Sequence, residues 1–388
     1  MRRPSARAQV PPFHVMDVWA AATERARTHG DLVNLSAGQP STPAPVDVRQ
    51  AANDALANHI LGYSGSLGTP ELRAAIAGHH RRRYGDPDVT ADDVVVTTGG
   101  SGGFLLAFMA AFDPGDTVVL ARPGYPCYRN ILASLGCEVV ELSCGEETRF
   151  QPSVAMLDAL DEPPAGLIVA SPANPTGSVI EPEELAALAR WCDEHSTQLI
   201  SDEIYHGIEY GTGPATASAW STSHESLVVT SFSKYWSMTG WRLGWLLVPE
   251  RLRRAVDVIS GNFTVCAPVP AQLAALGAFT DAAYAEADAH VERYAINRQL
   301  LIEGLPRLGI TRLAPADGAF YVYADVGHLT HDTLAFGQRI LAETGVAVAP
   351  GIDFDPVDGH TWIRLSFAGS TDTVREALDR LGSWIPTL

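Results

Sequence analysis

The chain of 388 residues contains a single lysine, Lys234, although it contains 26 arginines. Nearly every cation is therefore a guanidinium, which stays protonated in proteins and cannot act as an amine nucleophile. A lysine can act in this way once burial or a neighbouring cation lowers its pKa. The retained lysine therefore predicts chemistry that needs a deprotonable amine, with formation of a Schiff base as the leading candidate. The alternative is one leftover lysine on the surface.

Other scarcities narrow the classes of protein that fit. Basic residues are outnumbered, 27 against 45 acidic ones, and the formal net charge of −18 argues against nucleic acid or an anionic membrane as the main partner. The five cysteines form no CxxC pair, so neither a disulfide framework nor a zinc or other metal site is expected. No run of about 18 apolar residues exists, and the N-terminal residues lack an apolar stretch of signal-peptide length, which predicts a cytoplasmic protein.

Short apolar runs alternate with helical patterns through the middle of the chain. Predicted strands cover 93–98, 117–121, 137–142, 166–171, 197–202, 227–231 and 242–248, and predicted helices such as 104–112 and 182–195 lie between them. Apolar strands separated by helices predict a mostly parallel sheet with helices on both faces, the doubly wound α/β arrangement. We expect this large domain to span residues 46–285.

A smaller α+β domain is expected from residues 1–45 and 286–388. After a long helical region near 270–305, strands are predicted at 318–326, 345–351 and 361–367, followed by a closing helix in TDTVREALDRLGSWI. The predicted helix near 16–29 is assigned to this domain, because it precedes the parallel layer and has no strand partner there. Tyr321 and Tyr323, on the first of these strands, are interpreted as core residues.

Five of the predicted strands are followed by unusual polar segments. These are TGGSGG after 93–98, RPGYPCY after 117–121, SPANPTG after 166–171, DEIYHG at the end of 197–202, and SFSK at the end of 227–231. Ligands of open α/β sheets bind beyond the carboxyl ends of the strands, so we expect a site there. Glycines and a serine that open a helix indicate a phosphate-binding turn, although an ordinary strand–helix turn has the same composition.

Individual residues in these segments allow two interpretations each. Asp202 directly follows an apolar strand, where an unpaired carboxylate would be costly to bury, and it is either a helix N-cap or the partner of a protonated ring nitrogen. Tyr205 would face the same pocket. Asn174 suits a turn in NPTG, but its position at a strand end favours contact with a ligand. Tyr128 is interpreted as core or pocket lining.

Taken together, these segments resemble the class I/II aminotransferases. The resemblance is carried by LGYSGSLGTPELR, SPANPTG, SDEIYHG, SFSKYWSMTGWRLGW, GAFYVYAD and RLSFA, and it extends from about residue 15 to the C-terminus. It implies an enzyme that uses pyridoxal 5'-phosphate (PLP), with the aspartate aminotransferase fold (fold type I), and a homodimer in which both chains build each active site. Such an enzyme moves an α-amino group from an amino acid to a 2-oxo acid in a ping-pong reaction through pyridoxamine phosphate.

The resemblance also implies roles for the matching residues. Lys234 would bind the cofactor covalently and, when released, act as acid and base, while Asp202 would hold the pyridine nitrogen. The remaining roles follow the same correspondence: Tyr205 and Asn174 contact the ring hydroxyl oxygen, Tyr125 stacks on the ring, Gly100, Ser101, Ser231, Ser233 and Arg242 form the phosphate cup, Tyr63 reaches the phosphate of the neighbouring subunit, and Arg364, with Gly38 nearby, clamps the substrate α-carboxylate.

The amino donor does not follow from these residues. Some aspartate-specific relatives carry a lysine at the position that matches Ser101, where it pairs with the distal carboxylate of the substrate. This chain has no second lysine for that purpose, which favours a neutral donor of alanine or valine size with pyruvate as acceptor. An arginine could supply the missing cation instead, and because Arg298 is a candidate, an aspartate/2-oxoglutarate aminotransferase stays an alternative. A PLP-dependent β-lyase on the same fold is a further alternative. A PLP-sensing regulator fits the acidic charge poorly.

Overall fold

The computed structural model describes residues 3–211 and 213–388. In chain order the strands are β1 (Val33–Asn34), β2 (Val94–Thr97), β3 (Thr117–Arg122), β4 (Glu138–Ser143), β5 (Gly166–Ala170), β6 (Gln198–Asp202), β7 (Leu227–Ser231), β8 (Gly244–Leu247), β9 (Tyr321–Asp325), β10 (Val346–Ala347), β11 (Ala349–Pro350) and β12 (Trp362–Ser366). The helices are α1 (His14–His29), α2 (Val46–Asn58), α3 (Pro70–Tyr84), α4 (Gly99–Ala111), α5 (Cys127–Leu135), α6 (Val154–Asp158), α7 (Pro182–Glu194), α8 (Glu250–Phe263), α9 (Val269–Ala275), α10 (Asp281–Arg307), α11 (Thr333–Thr344) and α12 (Thr371–Trp384). Within the described ranges, none of these helices combines the length and the apolar composition needed to cross a membrane.

A seven-stranded sheet in the order β2-β8-β7-β6-β5-β3-β4 forms the centre of the molecule. Only β8 runs antiparallel to its neighbours, so the predicted mostly parallel sheet is confirmed. Side chains of the central strands alternate between two cores, because neighbouring residues of a strand point to opposite faces. Ile200 and Val229 pack with α4 and α8, whereas Leu199 and Val228 pack with α3 and α7. The strands are apolar on both faces for this reason.

The C-terminal residues form a separate antiparallel sheet in the order β11-β12-β9. The N-terminal region joins this part of the molecule, since β1 pairs in parallel with β10 and α1 contacts β11. The predicted strand 345–351 is divided in the structure, because β10 pairs with β1 while β11 pairs with β12. α10 runs through residue 286, where the sequence predicted a domain boundary. The predicted bounds of the two domains remain a prediction.

Two helical predictions differ from the structure in their extent. The long helical region near 270–305 consists of α9 and α10, and Thr280 caps the second helix by accepting a hydrogen bond from the backbone N–H of Ala283. The helix predicted at 104–112 begins at Gly99, so the glycine-rich segment forms its first turn. The N–H groups of a first helical turn have no partner within the helix, and α4 presents them at the carboxyl end of β2.

Candidate active site

A cavity of about 570 Å³ lies beyond the carboxyl ends of the strands, between the central sheet, α1 and the C-terminal sheet. Its walls include twelve of the residues that the sequence indicated as site residues: Gly38, Gly100, Ser101, Tyr125, Asn174, Asp202, Tyr205, Ser231, Ser233, Lys234, Arg242 and Arg364. These residues come from five strand ends and from both ends of the chain. The structure thus brings them to one place, while the role of each remains a prediction.

Lys234 lies three residues after β7, and its side chain is half-buried in the cavity wall. Its Nζ donates a hydrogen bond of 2.6 Å to the backbone oxygen of Gly38. The pKa of this amine is lowered to about 8, mainly by burial and also by the positive charges of Arg364 and Arg242, while Asp202 acts in the opposite direction. A lysine with a lowered pKa has more of its amine in the neutral, nucleophilic form near neutral pH.

Asp202 ends β6 and is only 3% exposed. Its Oδ2 accepts a hydrogen bond from the hydroxyl of Tyr128, and its Oδ1 accepts one of 3.0 Å from the backbone N–H of Ile204. Among the described residues no cation forms an ion pair with this carboxylate, although it borders the cavity. Burial raises its pKa to about 6, against the hydrogen bond from Tyr128. A buried carboxylate of this kind suits a cationic nitrogen supplied by a ligand.

The first turn of α4 faces a group of donors at one end of the cavity. Ser231 Oγ lies 2.8 Å from Ser233 Oγ, and both residues are buried. The guanidinium of Arg242 lies against Gly99, where an added methyl group would come within 2.6 Å of its NH2 atom, so glycine permits this approach. Helix N–H groups, hydroxyls and a guanidinium together form a site that suits a phosphate group.

Arg364, on β12, is 2% exposed and lies across the cavity from this group. Its NH1 donates 2.8 Å to Asn174 Oδ1, and its NH2 donates 2.7 Å to the backbone oxygen of Ser36. The guanidinium carbon lies 4.4 Å from the ring centroid of Tyr321, which holds the group flat. Each terminal nitrogen keeps one further N–H, so a carboxylate can still be bound by both. Because Asn174 uses its oxygen for Arg364, its amide N–H groups are left for a ligand.

Tyr321 was interpreted from the sequence as a core residue, and the structure shows a second role. Its ring is buried, but its hydroxyl shares a hydrogen bond of 2.6 Å with the hydroxyl of Tyr205 and lies beside Gly38. Tyr323, by contrast, is a core residue that stacks on Trp362. The alternation of β9 places both tyrosines on one face, next to Arg364, but the pairing of β9 with β12 that reveals this could not be read from the sequence.

The N-terminal segment was expected to shape the side-chain pocket, but the residues of the wall at α1 were not among the predicted site residues. Phe13, Val15, Met16 and Trp19 line the cavity, and the ring of Phe13 meets that of Tyr125 edge-on at 6.1 Å between centroids. The sequence indicated that this helix belongs with the C-terminal part of the chain, but not which of its side chains face the cavity. In a helix that packs between two regions of the molecule, the sequence pattern does not show which of the apolar residues border a cavity.

Two residues singled out from the sequence lie away from the cavity. Tyr63 is 87% exposed in the segment between α2 and α3. Leu56 and Ile60, in the same region, are exposed as well. Arg298 directs its Nε to the backbone oxygen of Ala316 at 2.6 Å, and its guanidinium lies over the ring of Tyr210, so it does not border the cavity.

Comparison with known proteins agrees with this geometry. The sequence profile described as "Aminotransferase class I and II" matches residues 30–381. A valine–pyruvate aminotransferase from Mycobacterium tuberculosis is 63% identical, with 99% of each chain covered, and an aspartate/prephenate aminotransferase from Thermus thermophilus is 38% identical, with 98% of each covered. A crystal structure of an aminotransferase from Mycobacterium tuberculosis, 63% identical, superposes with a TM-score of 0.98 over 100% of both chains.

Members of this family use PLP, and the cavity fits that cofactor. The amine of Lys234 suits its aldehyde, the buried carboxylate of Asp202 suits its protonated ring nitrogen, and the donors at the first turn of α4 suit its phosphate. The resemblance inferred from the sequence is therefore confirmed. The chain belongs to the class I and II aminotransferases and is a PLP-dependent enzyme.

Proposed function

We propose that this aminotransferase takes the amino group from a neutral aliphatic amino acid of valine or alanine size and passes it to pyruvate. The observation that carries the proposal is the distribution of positive charge in the cavity. Within the described part of this chain, the cationic side chains that line it are Lys234, Arg242 and Arg364, and the cofactor and the substrate α-carboxylate would use all three. Arg298, the residue that left an acidic donor open, points to Ala316 instead. A distal carboxylate would therefore lose its hydration without a compensating cation from the described residues of this chain.

The apolar wall from α1 supports the same substrate class. Phe13, Val15, Met16 and Trp19 offer hydrocarbon and aromatic surface, and Met16 and Trp19 are about half exposed. Burying an aliphatic side chain against such a surface stabilises binding by roughly 25 cal/mol per Å² of apolar area. The relative from Mycobacterium tuberculosis, which is named for valine and pyruvate, is consistent with this pocket.

We assign the chemical roles as follows. Arg364 holds the α-carboxylate of the substrate with its remaining N–H groups, and Asn174 and Tyr321 keep the guanidinium in place. PLP, when bound, supplies the electron sink for breaking a bond at the substrate Cα, and Asp202 keeps its ring nitrogen protonated. Lys234 removes the proton at Cα and returns it during transfer, for which an amine with a pKa near 8 is suited.

Each active site is proposed to include a residue from the neighbouring subunit. We infer a homodimer in which Tyr63 donates its hydroxyl to the phosphate bound by the other chain. Its side chain is 87% exposed and lies outside the cavity of its own chain. Leu56 and Ile60, which precede it in the chain, and Phe263, at the end of α8, are exposed apolar residues as well. Exposed apolar side chains in one region support an interface between two copies.

A panel of donors tests the substrate. With pyruvate and with 2-oxoglutarate as acceptors, kcat/KM would be measured for valine, alanine, phenylalanine, aspartate and glutamate. We expect valine or alanine with pyruvate to exceed aspartate by about tenfold or more, equivalent to about 1.4 kcal/mol in transition-state binding. The Lys234→Arg variant is the matched control and should be inactive. A preference of about tenfold for aspartate would contradict the proposal, as would product formation that does not depend on the 2-oxo acid.

A further inference from the structure

The first turn of α1 has no cap of its own. The helix begins after Phe13, whose side chain has no hydrogen-bonding group and makes no capping bond. The backbone N–H groups at the start of any helix lack partners within it, and Ser, Thr, Asp or Asn usually supplies one from the preceding residue. In this chain the partner comes from the other end of the sequence.

Asp353 supplies the missing acceptors. Its Oδ1 accepts a hydrogen bond of 2.8 Å from the backbone N–H of His14, and its Oδ2 accepts one of 2.6 Å from that of Val15. The residue is only 2% exposed, so its carboxylate meets the positive end of the α1 dipole out of contact with water. A carboxylate that is 338 residues away from Val15 in sequence thus forms the N-terminal cap of this helix.

The turn that carries Asp353 is fixed to the cavity on several sides. The backbone oxygen of Asp353 accepts a hydrogen bond of 2.7 Å from Arg129, and that of Phe354 accepts one of 2.9 Å from the N–H of Gly124, next to Tyr125. The ring of Phe354 lies 4.8 Å from the guanidinium carbon of Arg364. The cap therefore connects the start of α1 to the two walls that hold the ring of the cofactor and the substrate carboxylate.

The start of α1 is also the part of the helix that borders the cavity. Val15 is buried in a small apolar cluster with Tyr323, Phe354 and Trp362, while Met16 is 53% exposed and Trp19 43% exposed on the cavity side. The apolar side chains of Phe13 and Val15 and one capping carboxylate therefore hold the start of the helix. Release of the cap would let the first turn fray, and the apolar wall would move away from the substrate.

We propose that Asp353 is a positioning residue for substrate specificity. Its carboxylate caps the first turn of α1 and thereby fixes the position of that turn. The apolar wall then lies over the side chain of the amino donor and excludes water from that side chain. Asp353 itself does not touch the substrate. The kinetic consequence rests on the proposed preference for a neutral aliphatic donor, whereas the structural consequence does not.

Hydrogen–deuterium exchange of the holoenzyme tests the structural part. Both carboxylate oxygens of Asp353 accept from backbone N–H groups, so Asp353→Asn keeps one acceptor and turns an NH2 donor toward the other N–H. Exchange in residues 13–20 should therefore rise by about tenfold, equivalent to about 1.4 kcal/mol. Asp332→Asn is the matched control, because Asp332 is an exposed aspartate that caps α11 through the N–H of Ala335. Because Asn caps a helix about as well as Asp, it should leave exchange in both α11 and α1 within about twofold of the wild type. Exchange of residues 13–20 within about twofold of the wild type in Asp353→Asn would overturn the assignment.

Kinetics with donors of two sizes test the functional part. In Asp353→Asn the KM for valine should rise by about fivefold or more with kcat within about twofold, and the KM for alanine should rise less, because a longer side chain reaches further toward α1. Asp332→Asn should match the wild type with both donors. An equal loss with both donors, or a loss confined to kcat, would refute positioning of the specificity wall. If the wild type prefers aspartate, the proposed function fails, and the exchange experiment still decides whether Asp353 caps α1.

Discussion

Labelling of the cofactor-free protein with an amine-reactive reagent should report the ionisation of Lys234 directly, because the chain has no second lysine. The pKa of the folded amine lies at about 8 instead of 10.5. At pH 7 the neutral fraction is then about 10⁻¹ instead of about 10⁻³·⁵, a gain of about 300-fold in reactive amine. The labelling rate should therefore reach half of its maximum near pH 8. Above pH 9 it should increase only slightly, because the amine is then almost fully deprotonated.

Peptide mapping by mass spectrometry separates Lys234 from the N-terminal amine in this assay. The same lysine in denaturant is the control, and its midpoint should lie near 10.4. Arg364→Met removes a positive charge and should raise the midpoint in the folded protein, because the protonated amine is then repelled less. Asp202→Asn should lower it, because the carboxylate is the neighbour that favours the protonated form.

A folded-state midpoint near pH 10 or above would contradict a lowered pKa for Lys234. Burial and the two guanidinium groups would then not disfavour the protonated amine. A midpoint near 8 that neither Arg364→Met nor Asp202→Asn moves would show that burial alone sets the value, and that the charges assigned to the cavity do not act on Lys234.

Three further changes test other parts of the site. Arg364→Lys keeps the charge but loses the planar guanidinium that can bind both carboxylate oxygens. The KM for the amino donor should therefore rise by about 10²-fold, while the affinity for PLP, measured by titration, stays within about twofold. An unchanged KM would contradict the binding of the substrate carboxylate by Arg364. Asp202→Asn should lower kcat by about 10²-fold or more in single-turnover measurements with valine, and a kcat close to the wild type would contradict its role at the ring nitrogen. Mixing Tyr63→Phe with Lys234→Ala should, after subunit exchange, restore about one quarter of the sites, since half of the dimers are mixed and each has one intact site. Activity no higher than that of the two parents would contradict sharing across the dimer interface.

Much of the fold followed from local patterns. β6 and β7 are buried along their whole length, so the apolar runs at 197–202 and 227–231 predicted them to within a residue. Parallel strands end at the same edge of a sheet, so the polar residues after them, Asp202 and Lys234 among them, were expected to converge. The glycine-rich segment was expected to open a helix, and α4 begins within it at Gly99, although the bounds 104–112 covered only the apolar stretch because glycines weaken a helical pattern.

The parts of the site that could not be predicted depend on contacts between distant segments. The hydroxyls of Tyr205 and Tyr321 meet across 116 residues of sequence, and Asp353 reaches the N–H of Val15 across 338. Neither pair has a local pattern, because each residue also suits an ordinary structural position. The orientation of Arg298 toward Ala316 is of the same kind, since helical periodicity does not show which neighbour a long side chain will meet.

The most direct test of the account is borohydride reduction of the holoenzyme followed by peptide mapping. The protein should be yellow and should lose its absorption band on reduction, and the mass of reduced PLP should appear on the peptide that contains Lys234. Incubation with valine before reduction should prevent this labelling, because the amino group has then been transferred to the cofactor, and pyruvate should restore it. Reduced PLP on the N-terminal amine, or labelling of Lys234 that valine does not change, would contradict the central claim that this lysine binds the cofactor in an aminotransferase with a neutral aliphatic donor.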